Sequence, residues 1–309
     1  MNGRKMSIWD RIKASDGAQC YILLALPLIG FFVFTLYPII WSAAKAFYYY
    51  DMIPSNTRFV GFGNFITLFQ KGTDYWRGWL VTFQYMIIKL PIEISLALIL
   101  AMLLFRGLKG SNAFRNLYFL PSVISVAIVG VIFTNIFDVF GLANDILLKL
   151  GWISAPMDWF SKKSTAMAVL LIGGIWTGLG TNVIYLTAAL SNVPKDLYEA
   201  AEVEGANPVQ KFFKITLPMI SKVLQVILLL AINGTLRTGE YIIVMTNGAP
   251  AGKTLTAEAY IIRAFLPGFA ANQNMDLGYG CAISIISSLI CAFVGVTYMR
   301  MTKKISDLY

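Results

Sequence analysis

Residues 165–190 read TAMAVLLIGGIWTGLGTNVIYLTAAL, a stretch without one charged side chain. At a rise of 1.5 Å per residue a helix of this length reaches about 39 Å. The hydrocarbon core of a bilayer is about 30 Å thick and takes about 20 apolar residues to cross. The stretch is therefore predicted to be a membrane span. Five more segments of the same character lie outward from it, at Ala18–Ala46, Trp79–Phe105, Asn116–Phe137, Ile220–Met245 and Gly278–Met299. The fold class that follows is an all-α polytopic membrane protein with about six transmembrane helices.

The totals agree with this reading. The chain has 309 residues, 57% of them hydrophobic and only 13% charged, where a soluble domain carries about a quarter charged residues. The net charge of +9 does not gather into a stripe for nucleic acid. Instead Arg4, Lys5, Arg11, Lys13, Arg106, Lys109, Arg115, Lys195, Lys211, Lys214, Lys222, Arg300, Lys303 and Lys304 sit in short segments near span ends. Lys and Arg favour cytoplasmic loops, so the bias predicts both termini inside. Residues 1–17 are then a cytoplasmic segment, 18–299 one transmembrane domain and 300–309 a cytoplasmic tail. The first nineteen residues are mostly polar, and the apolar run after them is too long for a signal core; it is expected to be the first span. Trp41, Tyr48–Tyr50, Trp76, Trp79, Trp152 and Trp159 fit aromatic belts at the headgroup level. A short helix around Ile146–Leu150 ended by Gly151 is expected in the loop 138–164, and another near Gly61–Phe69.

No histidine is present, which removes the commonest general base and metal ligand. No nucleophile–base–orienter set is visible, no metal site is expected, and Cys20, Cys281 and Cys291 read as buried free thiols. Gly248–Thr254 resembles a phosphate-binding loop but is one residue short and follows a span rather than a strand.

The loop 191–218 carries the most information. It reads SNVPKDLYEAAEVEGANPVQKFFKITLP. Pro194 suits the first turn of a helix. Asp196, Glu199, Glu202 and Glu204 are expected at a helix start, where the dipole favours them. Gly205 ends that helix with positive φ, and a second helix begins near Pro208. Phe212, Phe213 and Ile215 add apolar groups. A cytoplasmic helix–turn–helix with exposed apolar side chains is a docking surface for another protein.

This loop resembles the cytoplasmic loop of binding-protein-dependent ABC importer permeases: Glu-Ala-Ala, three residues, Gly, nine residues, then Ile-x-Leu-Pro. Glu199, Ala200, Ala201, Gly205, Ile215, Leu217 and Pro218 stand at those spacings. Tyr118–Pro121, Gly141–Asn144, Met245–Pro250 and Asp276–Gly280 resemble the carbohydrate branch, the maltose- and glycerol-phosphate-type permeases. That branch more often has Gly-Gly-Pro where this chain has Gly248-Ala249-Pro250. The resemblance implies a type I importer permease that moves a sugar or oligosaccharide by alternating access. It implies a coupling helix inserted into a partner ATPase, with Glu199 paired to a basic residue there, Ala200 and Ala201 allowing close packing, and Gly205 allowing the turn. The implied partners are a second permease subunit, two ATP-binding subunits that hold the ATP and Mg, and an extracytoplasmic substrate-binding protein. No cofactor is expected in this chain itself.

Charges inside spans are costly and usually face a cavity or a partner. Asn233, Arg237 and Glu240 recur at i, i+4 and i+7, one face of a continuous helix. Asn233 lies about 20 Å along a span beginning at Ile220, near the midplane. With Tyr241, this stripe is the expected substrate path, and Arg237 points to a solute with an acidic group. An internal Arg237–Glu240 pair is the alternative. Lys89 and Glu93, at i and i+4, are expected to pair with each other, Pro91 to kink their helix, and Gly174 and Gly178 to allow close helix packing. Trp176, Asn182 and Tyr185 are weaker cavity candidates. Other functions weighed are a secondary transporter with Glu93 as proton carrier, an ABC permease for a polyol, a phosphorylated polyol, an anionic oligosaccharide or a non-sugar solute, and a membrane-embedded enzyme, which the lack of histidine disfavours.

Overall fold

The computed structural model describes residues 16–105, 118–266 and 276–306. Among them, five helices are long and apolar enough to cross a membrane, and Val126–Ile136 is a shorter apolar helix. The described residues fall into two compact units, one drawn from Met1–Thr67 and Asn272–Ile285, the other from Leu68–Ala271 and Ile286–Tyr309.

In the first unit, α1 (Asp16–Phe31) runs through a π turn at Phe32–Leu36 into α2 (Tyr37–Lys45). Its apolar side chains are largely exposed, Leu23, Leu26 and Phe34 among them, as a lipid-facing helix requires. Cys20 is exposed too, which corrects the expectation of burial. A two-stranded hairpin follows, β1 (Tyr48–Tyr49) antiparallel to β2 (Arg58–Phe59). The Asn64 amide ties it down by donating to the carbonyls of Ala46 (2.9 Å) and Tyr48 (3.0 Å). Lys45 lies over the rings of Trp41, Tyr48 and Tyr50 at 5.5, 5.4 and 4.6 Å, so these aromatics surround a cation.

The remaining helices are α3 (Gly63–Lys71), α4 (Thr73–Phe105), α5 (Val126–Ile136), α6 (Leu142–Lys149), α7 (Lys163–Ser191), α8 (Lys195–Val203), α9 (Pro208–Lys211), α10 (Leu217–Leu236), α11 (Gly239–Met245), α12 (Ala257–Phe265) and α13 (Leu277–Ser306). The helices expected near 61–69 and 146–150 are α3 and α6, and Gly151 has φ +70°. Two expected spans are interrupted. Residues 118–123 are helical, but 124 and 125 break the path to α5. The span drawn at Ile220–Met245 ends at Leu236, because Arg237 leaves helical geometry at φ −109°, ψ 49°. The membrane candidate begins earlier, at Pro208.

In the second unit α4 packs along α7. Small residues make this possible: a Cβ on Gly174 would collide with the Tyr85 hydroxyl, and one on Gly178 with the Glu93 carboxylate. Apolar side chains gather in two clusters. One holds Val81, Tyr85, Val129, Phe133, Leu170 and Ile242; the other holds Ile94, Ala97, Val183, Leu186, Ile220 and Ile227. Lys89, Glu93 and Asn182 fall between the two clusters along α4 and α7, so a polar waist separates two greasy layers. The buried start of α12 locks onto α4, where the Ala257 N–H donates to Thr82 Oγ1 at 3.1 Å.

Asn144, in the Gly141–Asn144 segment, organises the loop after α5. Its amide donates to the carbonyls of Asp138, Val139 and Met157, and its oxygen accepts from Met157 N–H and Trp159 Nε1–H. A buried unsatisfied group costs about 1–3 kcal/mol, and Asn144 satisfies several at once. Replacement by Ala is expected to lower stability by about 2–4 kcal/mol, seen as a fall in the thermal unfolding midpoint of the purified protein in detergent. An unchanged midpoint counts against this hub.

Candidate functional site

Two features stand out, and α10 links them. The first is the hairpin 191–218. Pro194 is the N-cap of α8 rather than its first residue. Only Asp196 lies in the first turn, so the expectation of a wholly acidic helix start is corrected: Glu202 sits in the last turn, where the dipole disfavours a carboxylate. An ion pair to Lys211 of α9, at 2.7 Å, offsets this. Gly205, at φ +74°, ends the helix by the geometry expected of it. Its N–H donates to Glu202 O (3.0 Å) and Ala206 N–H to Ala201 O (2.8 Å), the paired bonds of a Schellman turn. The turn into α9 is closed by a capping box that the sequence reading passed over. Asn207 Oδ1 accepts from Gln210 N–H and Gln210 Oε1 accepts from Asn207 N–H, each at 2.9 Å; the Asn-x-x-Gln spacing was its signal.

Of the motif residues, Glu199, Ala200, Gly205 and Pro218 are exposed and Ala201, Ile215 and Leu217 half-buried. Val203 is 89% exposed and Phe213 60%. The hairpin is nonetheless braced, since the hydroxyls of Tyr198 and Thr216 lie 2.9 Å apart. A π turn at Phe212–Thr216 joins α9 to α10, and such turns are frequent at functional sites.

The second feature is a cavity of about 800 Å³ within the second unit, inside the range of about 300–1,000 Å³ usual for small-molecule sites. Arg237, Glu240 and Tyr241 line it; Asn233 does not. Because the helix breaks at Arg237, the i, i+4, i+7 face does not exist. Asn233 lies in the last turn of α10 and is exposed. No ion pair within 4.0 Å joins Arg237 to Glu240 among the described residues. Glu258 of α12, which the sequence did not single out, lines the same cavity. Burial pushes the Glu258 carboxyl up, while a bond from Gly239 N–H (2.9 Å) and the Arg237 charge pull it down. The only local signal for Glu258 was a carboxylate in the first turn of a helix capped by Thr256.

The polar waist forms one wall. Lys89 Nζ lies 2.5 Å from Glu93 Oε2, the pair expected from the sequence, with side-chain exposures of 9% and 2%. Asn182 Nδ2 donates to Glu93 Oε1 at 2.7 Å, and Lys89 Nζ donates to Thr235 Oγ1 at 3.3 Å. This network ties α4, α7 and α10 together. Asn182, Tyr185, Gly174 and Gly178 line the cavity as well; Trp176 does not and sits instead beside Phe133. Tyr85 and Tyr241, both buried, are among the lining residues, and each hydroxyl donates to the Leu170 carbonyl, at 3.3 and 3.0 Å. The lining thus offers carboxylates, cations, hydroxyls and aromatic faces, the groups that bind polyhydroxylated solutes.

The sequence profile of binding-protein-dependent transport system inner membrane components matches residues 93–307. The chain belongs to this family. Relatives among these permeases run nearly the full length of the chain. The arabinooligosaccharides transport system permease protein AraP of Bacillus subtilis (strain 168) is 34% identical over 96% of this chain and 93% of its own. The lactose transport system permease protein LacF of Rhizobium radiobacter is 31% identical over 87% and 91%. The sn-glycerol-3-phosphate transport system permease protein UgpA of Yersinia pseudotuberculosis serotype I (strain IP32953) is 30% identical over 91% and 94%. The permease fold is shared with a bacterial ABC transporter involved in the import of the acidic polysaccharide alginate, at a TM-score of 0.79 and 24% identity, covering 96% of this chain and 99% of that one. This chain is accordingly an inner membrane component of a bacterial binding-protein-dependent transport system, and a transport subunit.

Removing one member of a buried ion pair leaves an uncompensated charge and costs about 3–5 kcal/mol. Glu93→Ala is expected to destabilise the protein by that amount. A Lys89→Met/Glu93→Leu double variant is expected to lose much less. Thermal unfolding of both in detergent checks the ordering, and equal losses would contradict the pairing.

Proposed function

We propose that the chain is one permease subunit of an ATP-driven importer that carries a sugar or oligosaccharide inward by alternating access. The single observation that carries this reading is the exposed yet braced hairpin α8–α9. Glu199 and Val203, with Phe213 of the π turn after it, are exposed, while the Lys211–Glu202 pair closes the hairpin and Tyr198–Thr216 holds it to the π turn that leads into α10. α8 is then the coupling helix, received by a cleft of an ATPase on a separate chain that binds the ATP and Mg. Both termini lie in the cytoplasm, where the Lys and Arg bias puts them. A second permease subunit completes the pathway, two ATP-binding subunits dock beneath, and an extracytoplasmic binding protein delivers the solute. Relatives named for arabinooligosaccharide and lactose transport support a saccharide, and the cavity lined by Tyr85, Tyr241, Arg237 and Glu240 is its route.

Motion has a continuous path. α9, the π turn and α10 form one run from Pro208 to Leu236, so displacement of the hairpin reaches the Thr235–Arg237 wall of the cavity without crossing a loop. In this mechanism, closure of the ATPase pair draws the coupling helices together and opens the bundle outward; hydrolysis resets it.

The test is solute uptake by proteoliposomes holding the complete transporter. Glu199→Arg reverses an exposed charge on the docking helix, and is expected to cut ATP-driven uptake at least tenfold (about 1.4 kcal/mol) with the permease still folded. Proton-driven uptake that ignores Glu199→Arg and is lost in Glu93→Gln would establish the secondary-transporter reading instead.

A further inference from the structure

Helix α3 belongs neither to the hairpin nor to the cavity, yet it carries an ordered apolar surface. The Phe62 carbonyl accepts the Ile66 N–H at 2.9 Å, so the first turn starts from Phe62. Phe62, Ile66 and Phe69 stand at i, i+4 and i+7 and share one face. They are 67%, 52% and 62% exposed. Asn64 and Leu68, one turn apart, form the buried edge. Thr67, Gln70 and Lys71 make a second exposed arc, all of it polar, and Lys71 has no ion pair among the described residues. The free surface of one short helix is thus divided lengthwise into an apolar stripe and a polar stripe. Water suits the second and penalises the first; a protein core does the reverse. A boundary between an apolar and an aqueous phase suits both.

The contacts of α3 with α4 fix its level. The two helices meet at Gly72, where a Cβ would collide with the Leu68 carbonyl, so the joint is tight. Gly72 N–H and Trp76 Nε1–H both donate to that carbonyl, at 3.0 and 3.3 Å. The Phe69 ring lies 5.5 Å from the Trp76 ring. Trp76 stands in the first turn of α4, a membrane-span candidate of 33 residues. A helix of that length reaches about 50 Å against a hydrocarbon core of about 30 Å, so its ends emerge among the headgroups. The exposed Asp74–Arg77 pair, 3.3 Å apart beside Trp76, belongs outside the hydrocarbon, and Trp concentrates at that boundary.

We propose that α3 is an interfacial anchor. It lies along the bilayer surface beside the start of α4, with Phe62, Ile66 and Phe69 among the upper acyl chains and Thr67, Gln70 and Lys71 towards headgroups and water. Lipid, not a second protein, covers the stripe. The inference goes beyond the importer reading and does not depend on it.

Spin labels test it in the complete transporter reconstituted into liposomes. Cys20→Ser, Cys281→Ala and Cys291→Ala remove the native thiols. A nitroxide is then attached through Phe62→Cys, Ile66→Cys, Phe69→Cys, Thr67→Cys or Gln70→Cys, one at a time, all at exposed positions. Power saturation reads collisions with oxygen, which concentrates in lipid, and with a nickel chelate confined to water. Labels on the stripe are expected to favour oxygen several-fold, and labels on the polar arc to favour the chelate several-fold. Ile66 and Thr67 are neighbours in sequence, so opposite results there report the helix face and not the depth of the whole segment. Stripe labels as open to the chelate as the one at Thr67 would show a helix in water. Stripe labels screened from both reagents would show a protein cover, a second permease subunit or the binding protein. Either result overturns the anchor and leaves the importer reading standing.

Discussion

The ion pair between Lys89 and Glu93 is the constraint on which the second unit depends. Two charges taken out of water into a helix bundle cost several kcal/mol unless their remaining bonding capacity is met. Asn182 and Thr235 meet part of it from two other helices, while Glu93 Oε2 is left with its contact to Lys89. The position of α7 and of the end of α10 is therefore dictated by the need to satisfy one turn of α4. Gly178 makes the approach possible, because any side chain there would occupy the place of the Glu93 carboxylate. The apolar clusters above and below this turn supply most of the burial, but apolar packing alone is tolerant of sliding. The polar layer gives the bundle its register.

That layer also explains where the cavity lies. Helices held together by hydrogen bonds at one level and separated by bulky tyrosines at the next leave space beside the polar groups. The helix breaks at Arg237 beside it, and α11 sets the Tyr241 hydroxyl against the Leu170 carbonyl. The start of α12 fills the far side, with Glu258 accepting from the Gly239 N–H. A Cβ at Gly239 would press on the α12 backbone at Ala259; this glycine is required by close approach rather than by flexibility.

The hairpin and the cavity are separate in chemistry and joined in structure. Exposed apolar residues mark the hairpin as a surface awaiting a partner, whereas the cavity wall is polar and internally bonded. The run from Pro208 to Leu236 connects them, interrupted only by the π turn at Phe212–Thr216. Local motifs hold the hairpin in shape: the Gly205 turn, the Asn207–Gln210 capping box and the Lys211–Glu202 pair all act within a few residues. Their short range is why the loop could be read from the chain almost residue by residue, while the cavity could not. Pairing of Lys89 with Glu93 was legible for the same reason, being one helical turn apart. The role assigned to Asn233 was not, because it assumed a helix running on through Arg237, and backbone geometry at one residue undid it.

The amino-acid sequence alone determined the helical, membrane-embedded character of the chain, the hairpin and its turn, and the neighbouring Lys89–Glu93 pair. Each depends on apolar run length or on groups within a turn or two of one another, and such effects are written in linear order. Tertiary structure decided which face of each helix meets the cavity, that Glu258 of a distant helix joins Arg237 and Glu240 in its lining, and that Asn182 and Thr235 join the buried network. Those contacts join residues far apart in the chain, and they follow from where helices end and how closely glycine lets them approach, quantities that no local pattern encodes.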